Sequence, residues 1–105
     1  MVTQGAEVPF IWAWDGELTG DQAFELRLWH DGDGSHFGAF DARELERYFE
    51  RLPGAKYAAR LGLDDAYSIK LHGSGDYLWS IAVVQLDPYT DLGLESEPLL
   101  IRYER

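Results

Sequence analysis

The chain has no cysteine, few basic residues and no long apolar segment, and each of these absences excludes a class of function. Without cysteine, the chain can form no disulfide, thiolate nucleophile or CxxC zinc site. Only 9 Lys and Arg oppose 19 Asp and Glu, and the net charge of −10 disfavours binding to nucleic acid and to anionic lipid. No apolar run has the length that crosses a bilayer. We therefore expect no nucleic-acid partner and no membrane insertion.

A length of 105 residues is typical of a single domain with its own core. Met1–Glu7 has neither the basic nor the apolar region of a signal peptide. We therefore expect residues 1–105 to be one domain excised from a larger protein. No Gly-rich phosphate loop or nucleophile motif occurs, so we expect neither a cofactor nor catalytic residues.

Aromatic residues are abundant, with four Trp, six Tyr and five Phe, and many recur at every second position. This period of two is typical of β-strands. It predicts strands over 8–14, 24–29, 67–72, 77–85 and 99–103, joined by Gly- and Asp-rich turns. The residues on the shared apolar face of four of these strands form the predicted core: Phe10, Trp12, Leu26, Leu28, Tyr67, Ile69, Tyr77, Trp79, Ile81 and Val83.

One segment in the middle of the chain has helical rather than strand periodicity. Asp41 and Glu44 have the spacing of a capping box, and Leu45, Tyr48, Phe49 and Leu52 follow at i, i+3, i+4 and i+7. This pattern predicts one helix over residues 41–52, ended by Pro53-Gly54. Residues 56–65 fit either a second helical turn or a loop, and residues 86–95 are predicted to be a loop.

Several short strands with one aromatic face favour a two-sheet β-sandwich carrying one inserted helix. The chain also resembles a fibronectin type III domain, an immunoglobulin-like sandwich. Trp12 matches the Trp that anchors the second strand of that family, and Leu71 and Tyr77 resemble its corner Leu and Tyr. The resemblance covers residues 8–28 and 67–103. The family pattern does not include the helix predicted over 41–52.

The resemblance implies a non-catalytic module for protein–protein interaction or spacing within a larger exported or surface protein, as in bacterial exported enzymes. The implied partners are another protein or neighbouring domains of the same chain, and the module is expected to be a monomer or a weak homodimer outside the cell or at its surface. The alternative is a carbohydrate-binding module that uses exposed aromatic residues such as Trp29. We expect no enzymatic activity.

The second face of the strand over 77–85 provides the binding candidates. Leu78, Ala82 and Val84 make this face mostly apolar, although the outer face of a sandwich strand usually meets water. Either the predicted helix covers the face, or the face is a binding or dimer surface with Trp29 at its edge.

The turn after the second strand is a candidate metal site. Asp31, Asp33 and Ser35 have the alternate spacing that begins a calcium loop, but the later ligands of such a loop are absent. A plain hairpin turn is the favoured interpretation, so no metal is expected. His30, His36 and His72 form a second possible metal cluster, for which a solvated surface is the favoured interpretation.

Overall fold

Alternating apolar residues bring two β-sheets face to face around one core. A computed structural model describes residues 2–33 and 38–105. The elements follow the chain in the order β1 (Val2–Thr3), β2 (Glu7–Ala13), β3 (Gln22–His30), β4 (Gly38–Phe40), α1 (Ala42–Leu45), β5 (Phe49–Leu52), β6 (Lys56–Gly62), α2 (Tyr67–His72), β7 (Gly75–Leu86), β8 (Tyr89–Glu95) and β9 (Leu99–Glu104). The all-β sandwich class is therefore confirmed.

The larger sheet has six strands in the order β1-β9-β7-β3-β4, with β8 paired to β7 beyond the end of β9. The smaller sheet has three strands in the order β2-β6-β5. All pairs are antiparallel except β1 with β9. The two sheets therefore form a β-sandwich in which β6 is the central strand of the smaller sheet and β7 is an interior strand of the larger one.

Aromatic contacts between the sheets fill the core. The Phe10 ring lies edge-on to Trp79 with a centroid distance of 4.8 Å, and the Trp12 ring lies edge-on to Phe24 at 5.6 Å. The indole N–H of Trp12 is buried and has no hydrogen-bond partner among the described residues. Of the ten predicted core residues, nine are buried and one, Tyr67, is 61% exposed. The strand parity predicted for β2, β3 and β7 is therefore correct.

The helix predicted over 41–52 is wrong in length. Asp41 caps α1 as expected, because its carboxylate accepts from the backbone N–H of Glu44 at 2.8 Å. However, α1 ends at Leu45, and Phe49–Leu52 forms β5, which pairs with β6. An isolated helix of three turns has little stability, whereas strand pairing satisfies the backbone and places Phe49 beside the aromatic core.

The strand predicted over 67–72 is also wrong, since these residues form the short helix α2. This helix crosses one end of the sandwich and buries Ile69. Two hydrogen bonds add to this apolar contact: the Ser68 hydroxyl donates to the Leu28 carbonyl at 3.2 Å, and the Tyr77 hydroxyl donates to the carbonyl of Gly73, the residue after the helix, at 2.5 Å. These contacts stabilise the helix. The sequence did not indicate it, because an alternating pattern over only six residues does not distinguish a helix from a strand.

Two strands lie where the sequence indicated loops. β6 occupies part of the ambiguous segment over 56–65, and β8 occupies most of the loop predicted over 86–95. In β6, Tyr57, Ala59 and Leu61 do alternate with outward residues, so a weak strand signal was present. Because β6 is the central strand of the smaller sheet, the prediction lacked the strand that joins β2 to β5.

Candidate functional site

The predicted binding face of β7 is buried at Ala82 and Val84 and half-buried at Leu78. We name as the closed face the outward side chains of two paired strands: Ala23, Glu25, Arg27 and Trp29 on β3, and Leu78, Ser80, Ala82 and Val84 on β7. Trp29 is only 4% exposed and Ala82 is fully buried. Ala42 of α1 packs against Ala23 and Val84, so the helix covers one end of this face. The expectation of an exposed Trp29 as a sugar platform is therefore wrong, and the open version of this face is wrong with it.

A buried guanidinium group holds the middle of the closed face together. Arg27 contacts three carboxylates: Glu25 at 3.0 Å, Glu95 at 2.7 Å and Asp91 at 3.2 Å. Burial alone would lower the pKa of Arg27, but the hydrogen bonds to Glu25 and Asp91 outweigh it, so the pKa lies above its ordinary value. Arg27 therefore stays charged and balances part of a site that carries three acidic groups.

Further hydrogen bonds complete the cover of this face. The Tyr89 hydroxyl donates to Glu25 and accepts from the backbone N–H of Ala42. Burial, followed by the hydrogen bond to Glu25, raises the pKa of Tyr89. The Ser80 hydroxyl donates to Glu95 at 2.6 Å. The cluster therefore links β3, β7, β8 and the start of α1 across one surface.

The smaller sheet presents a different surface to solvent. We name as the open face its outward side chains, which are Pro9 and Ile11 on β2, Glu50 and Leu52 on β5, and Ala58 and Arg60 on β6. Together with Tyr48 these residues line a shallow groove of about 430 Å³. Ile11 is 55% exposed and Tyr48 is 52% exposed. The open face is therefore apolar at its centre and carries charges of both signs, Glu50 and Arg60.

The acidic turn contributes to a different cluster from the one that the sequence indicated. Asp31 and Asp33 follow β3, whereas Ser35 and His36 lie outside the described residues. The Asp33 carboxylate accepts from Nε2–H of His72 at 3.0 Å. Asp33 therefore meets the end of α2, and Asp31 forms part of the turn, with its backbone N–H donating to the Asp76 carbonyl at 2.9 Å.

His30 joins this pair from the end of β3. Its ring stacks on that of His72, with a centroid distance of 4.2 Å and an interplanar angle of 14°, and lies edge-on to Tyr77 at 5.3 Å. One ligand atom from each of His30, Asp33 and His72 lies within 4.8 Å of the others. Two imidazoles and a carboxylate therefore meet where β3 and α2 end and β7 begins.

Space for the His30 ring depends on a glycine. A Cβ at Gly75 would lie 3.2 Å from Nε2 of His30, and the φ angle of this glycine is +154°. Nearby, the hydrogen bond to Arg102 is the main cause that lowers the pKa of Asp76. The Asp76 carboxylate is therefore held in its own ion pair.

Sequence reasoning missed the open face, and it named His30 and His72, together with His36, only as a possible metal cluster for which a solvated surface was the favoured interpretation. The open face requires β6 and β5 beside β2, and neither strand was predicted. The pairing of His30 with His72 depends on where α2 places its last residue, 42 positions farther along the chain. One signal was available in the sequence. Ile11 lies between Phe10 and Trp12 in a strand and therefore points to the opposite side of the sheet from these core residues.

Two further observations bear on the class of protein. Within residues 2–33 and 38–105, neither helix has the length and apolar character that crossing a bilayer requires. No protein-family model, curated protein or solved structure matches the chain.

Proposed function

We propose that this domain is a non-catalytic module for protein–protein interaction or spacing, and that its contact surface is the open face. The observation that carries the proposal is the pair of large side chains, Ile11 and Tyr48, that stand more than half exposed over the groove. Apolar groups that remain accessible beside a polar rim are typical of protein contact sites. Of the apolar side chains on the closed face, Ala23, Trp29, Ala82 and Val84 are buried and Leu78 is half-buried, so the open face offers more accessible apolar surface than the closed face.

The distribution of charged groups supports a non-catalytic role. The groups with shifted pKa values are held in structural pairs, such as Asp76 with Arg102 and Arg27 with Asp91. None of these shifted groups lines the groove on the open face. Catalytic sites usually gather such groups in a cleft.

The fibronectin type III resemblance has two further supports. The two sheets form a β-sandwich, and Tyr77 forms a tyrosine corner, with its hydroxyl bonded to the carbonyl four residues upstream. We therefore extend the proposal to a module within a larger exported or cell-surface protein, where the partner is another protein or an adjacent domain. Because Trp29 is buried, the carbohydrate-binding alternative loses the residue on which it was based.

Site-specific photo-crosslinking in the source cell tests the proposed contact surface. We would place a photoreactive phenylalanine at Tyr48 and, as the matched control, at Tyr67, an equally exposed tyrosine on α2. The proposal predicts adducts of defined mass at Tyr48, and their loss in an Ile11→Arg background that keeps the wild-type melting temperature. Equal labelling at both positions, or none at Tyr48, would reject the open face as a contact surface. Analytical ultracentrifugation of the purified chain measures whether it self-associates, and so whether the adduct partner is a second copy of the chain.

A further inference from the structure

We infer that His30, Asp33 and His72 form a binding site for a divalent transition-metal ion of the zinc class. The three side chains come from three different elements, namely the end of β3, the turn that follows it and the end of α2. Their ligand atoms already lie within 4.8 Å of one another. Imidazole suits zinc, copper and nickel, and two histidines with one carboxylate leave an open coordination position for water.

The bonding of His30 is the second observation that points to a ligand. An imidazole has two ring nitrogens, which normally form hydrogen bonds when the ring is removed from water. His30 is half-buried, and within the described ranges its ring makes only stacking and edge contacts, with no hydrogen bond. Its nitrogens therefore bond to no described residue, and one of them lies within 4.8 Å of ligand atoms of Asp33 and His72.

The geometry requires only local movement to hold an ion. Ligand atoms on a tetrahedral zinc ion with bonds of about 2.0–2.1 Å are separated by roughly 3.3 Å. The 3.0 Å distance between Asp33 Oδ2 and His72 Nε2 is close to that separation. The stacked rings, at an interplanar angle of 14°, must turn so that their lone pairs converge. His72 lies at a helix end and Asp33 lies in a turn, so side-chain rotation is enough.

The local charge and the ligand types select the class of ion. The Asp33 carboxylate brings negative charge to the cluster itself, which favours a cation, and the Asp76 carboxylate is paired with Arg102. Calcium and magnesium prefer oxygen ligands, and this cluster supplies two nitrogens and one carboxylate. The site therefore differs in residues and in metal preference from the calcium loop that Asp31, Asp33 and Ser35 indicated in the sequence.

Titration of the full chain with zinc chloride tests the inference. We expect a single binding event in calorimetry and a rise of several degrees in melting temperature at saturation, reversed by a chelator, because an ion that binds only the folded state stabilises it. Calcium chloride should leave the melting temperature unchanged. In nuclear magnetic resonance spectra, zinc should shift the ring signals of both His30 and His72.

Variants separate this site from zinc bound elsewhere on an acidic surface. Asp33→Asn and His72→Gln should each weaken zinc binding at least tenfold, while Asp65→Asn, which changes a carboxylate with a 97% exposed side chain outside the cluster, should bind as the wild type does. Circular dichroism of the metal-free variants establishes that they fold. Wild-type affinity in the double variant His30→Gln/His72→Gln, or unshifted ring signals of His30 and His72 at saturating zinc, would overturn the inference.

Discussion

The outward faces of the two sheets begin from the same alternation of side chains and end in opposite states. On the closed face, α1 and the hairpin of β7 and β8 cover the small side chains, and Arg27 forms ion pairs with three carboxylates. On the open face, Ile11 and Ala58 lie side by side on paired strands without such a cover among the described residues. Whether an outward apolar residue is buried therefore depends on which neighbouring elements reach it, and parity within its own strand does not decide it.

The largest difference in the free energy of unfolding is expected when the same substitution is made on an interior strand of each sheet. Ala82→Arg places a charge in the fully buried closed face and should cost at least about 4 kcal/mol. Ala58→Arg on β6 should cost less than about 1 kcal/mol, because a long side chain there extends its charge to water. Urea denaturation measures both. Equal losses for the two variants would mean that the open face is covered as well.

The next largest difference in the free energy of unfolding is expected when one arginine is removed from each face. Arg27→Leu leaves three carboxylates without their cation and should reduce the free energy of unfolding by about 3 kcal/mol. Arg60→Leu, on the open face, should change it by less than about 0.5 kcal/mol. Chemical denaturation of both variants at pH 7 makes the comparison. An unchanged free energy of unfolding in Arg27→Leu would show that the carboxylates are solvated and that this cluster does not keep water from the closed face.

Two tyrosines extend the comparison to alkaline pH. Tyr89→Phe removes a hydroxyl that bonds Glu25 and Ala42 and should cost about 1–3 kcal/mol, whereas Tyr48→Phe should be neutral. The pKa of Tyr89 is raised in the folded state, so its contribution is complete below the unfolded value of about 10 and is lost as the pH rises above it. Thermal melts between pH 8 and 11.5 should therefore show a steeper loss for the wild type than for Tyr89→Phe.

The smallest expected effect concerns the rim of the closed face. The backbone N–H of Gly93 and the Arg27 guanidinium lower the pKa of Asp91. A lowered pKa stabilises the fold above the unfolded value of about 3.9 and ceases to do so as the pH falls through the folded value. Because the Asp91 side chain is 57% exposed, Asp91→Asn should cost less than about 1 kcal/mol at pH 7. Denaturation curves at pH 7 and pH 2.5 should show that this difference disappears in acid.

The prediction from sequence was most accurate for the two long central strands, β3 and β7. Their inward residues lie in the core as predicted, because both strands have neighbours on each side and face the smaller sheet: Phe24, Leu26 and Leu28 in β3, and Tyr77, Trp79, Ile81 and Val83 in β7. The segments 67–72 and 49–52 were assigned to the wrong class. Both are four to six residues long, and at that length apolar spacing fits a helix or a strand equally well.

The functional surfaces were less accessible from sequence than the core. Trp29 has the parity of Glu25 and Arg27, which predicted exposure, but its neighbours on the closed face bury it. The histidine cluster unites residues separated by up to 42 positions, and its formation depends on α2, an element predicted to be a strand.

The sandwich class, the inward faces of the central strands and the helix cap at Asp41 were predictable from the sequence, because they follow from local periodicity and from hydrogen bonds between near neighbours. Which outward faces are covered, and which distant side chains meet, became clear only from the folded chain. These outcomes depend on the backbone path between elements, where pairing with β6 outweighed the helical pattern of 49–52 and a crossing helix brought His72 against His30. Local spacing contains no information about such contacts, since they arise between residues far apart in the chain.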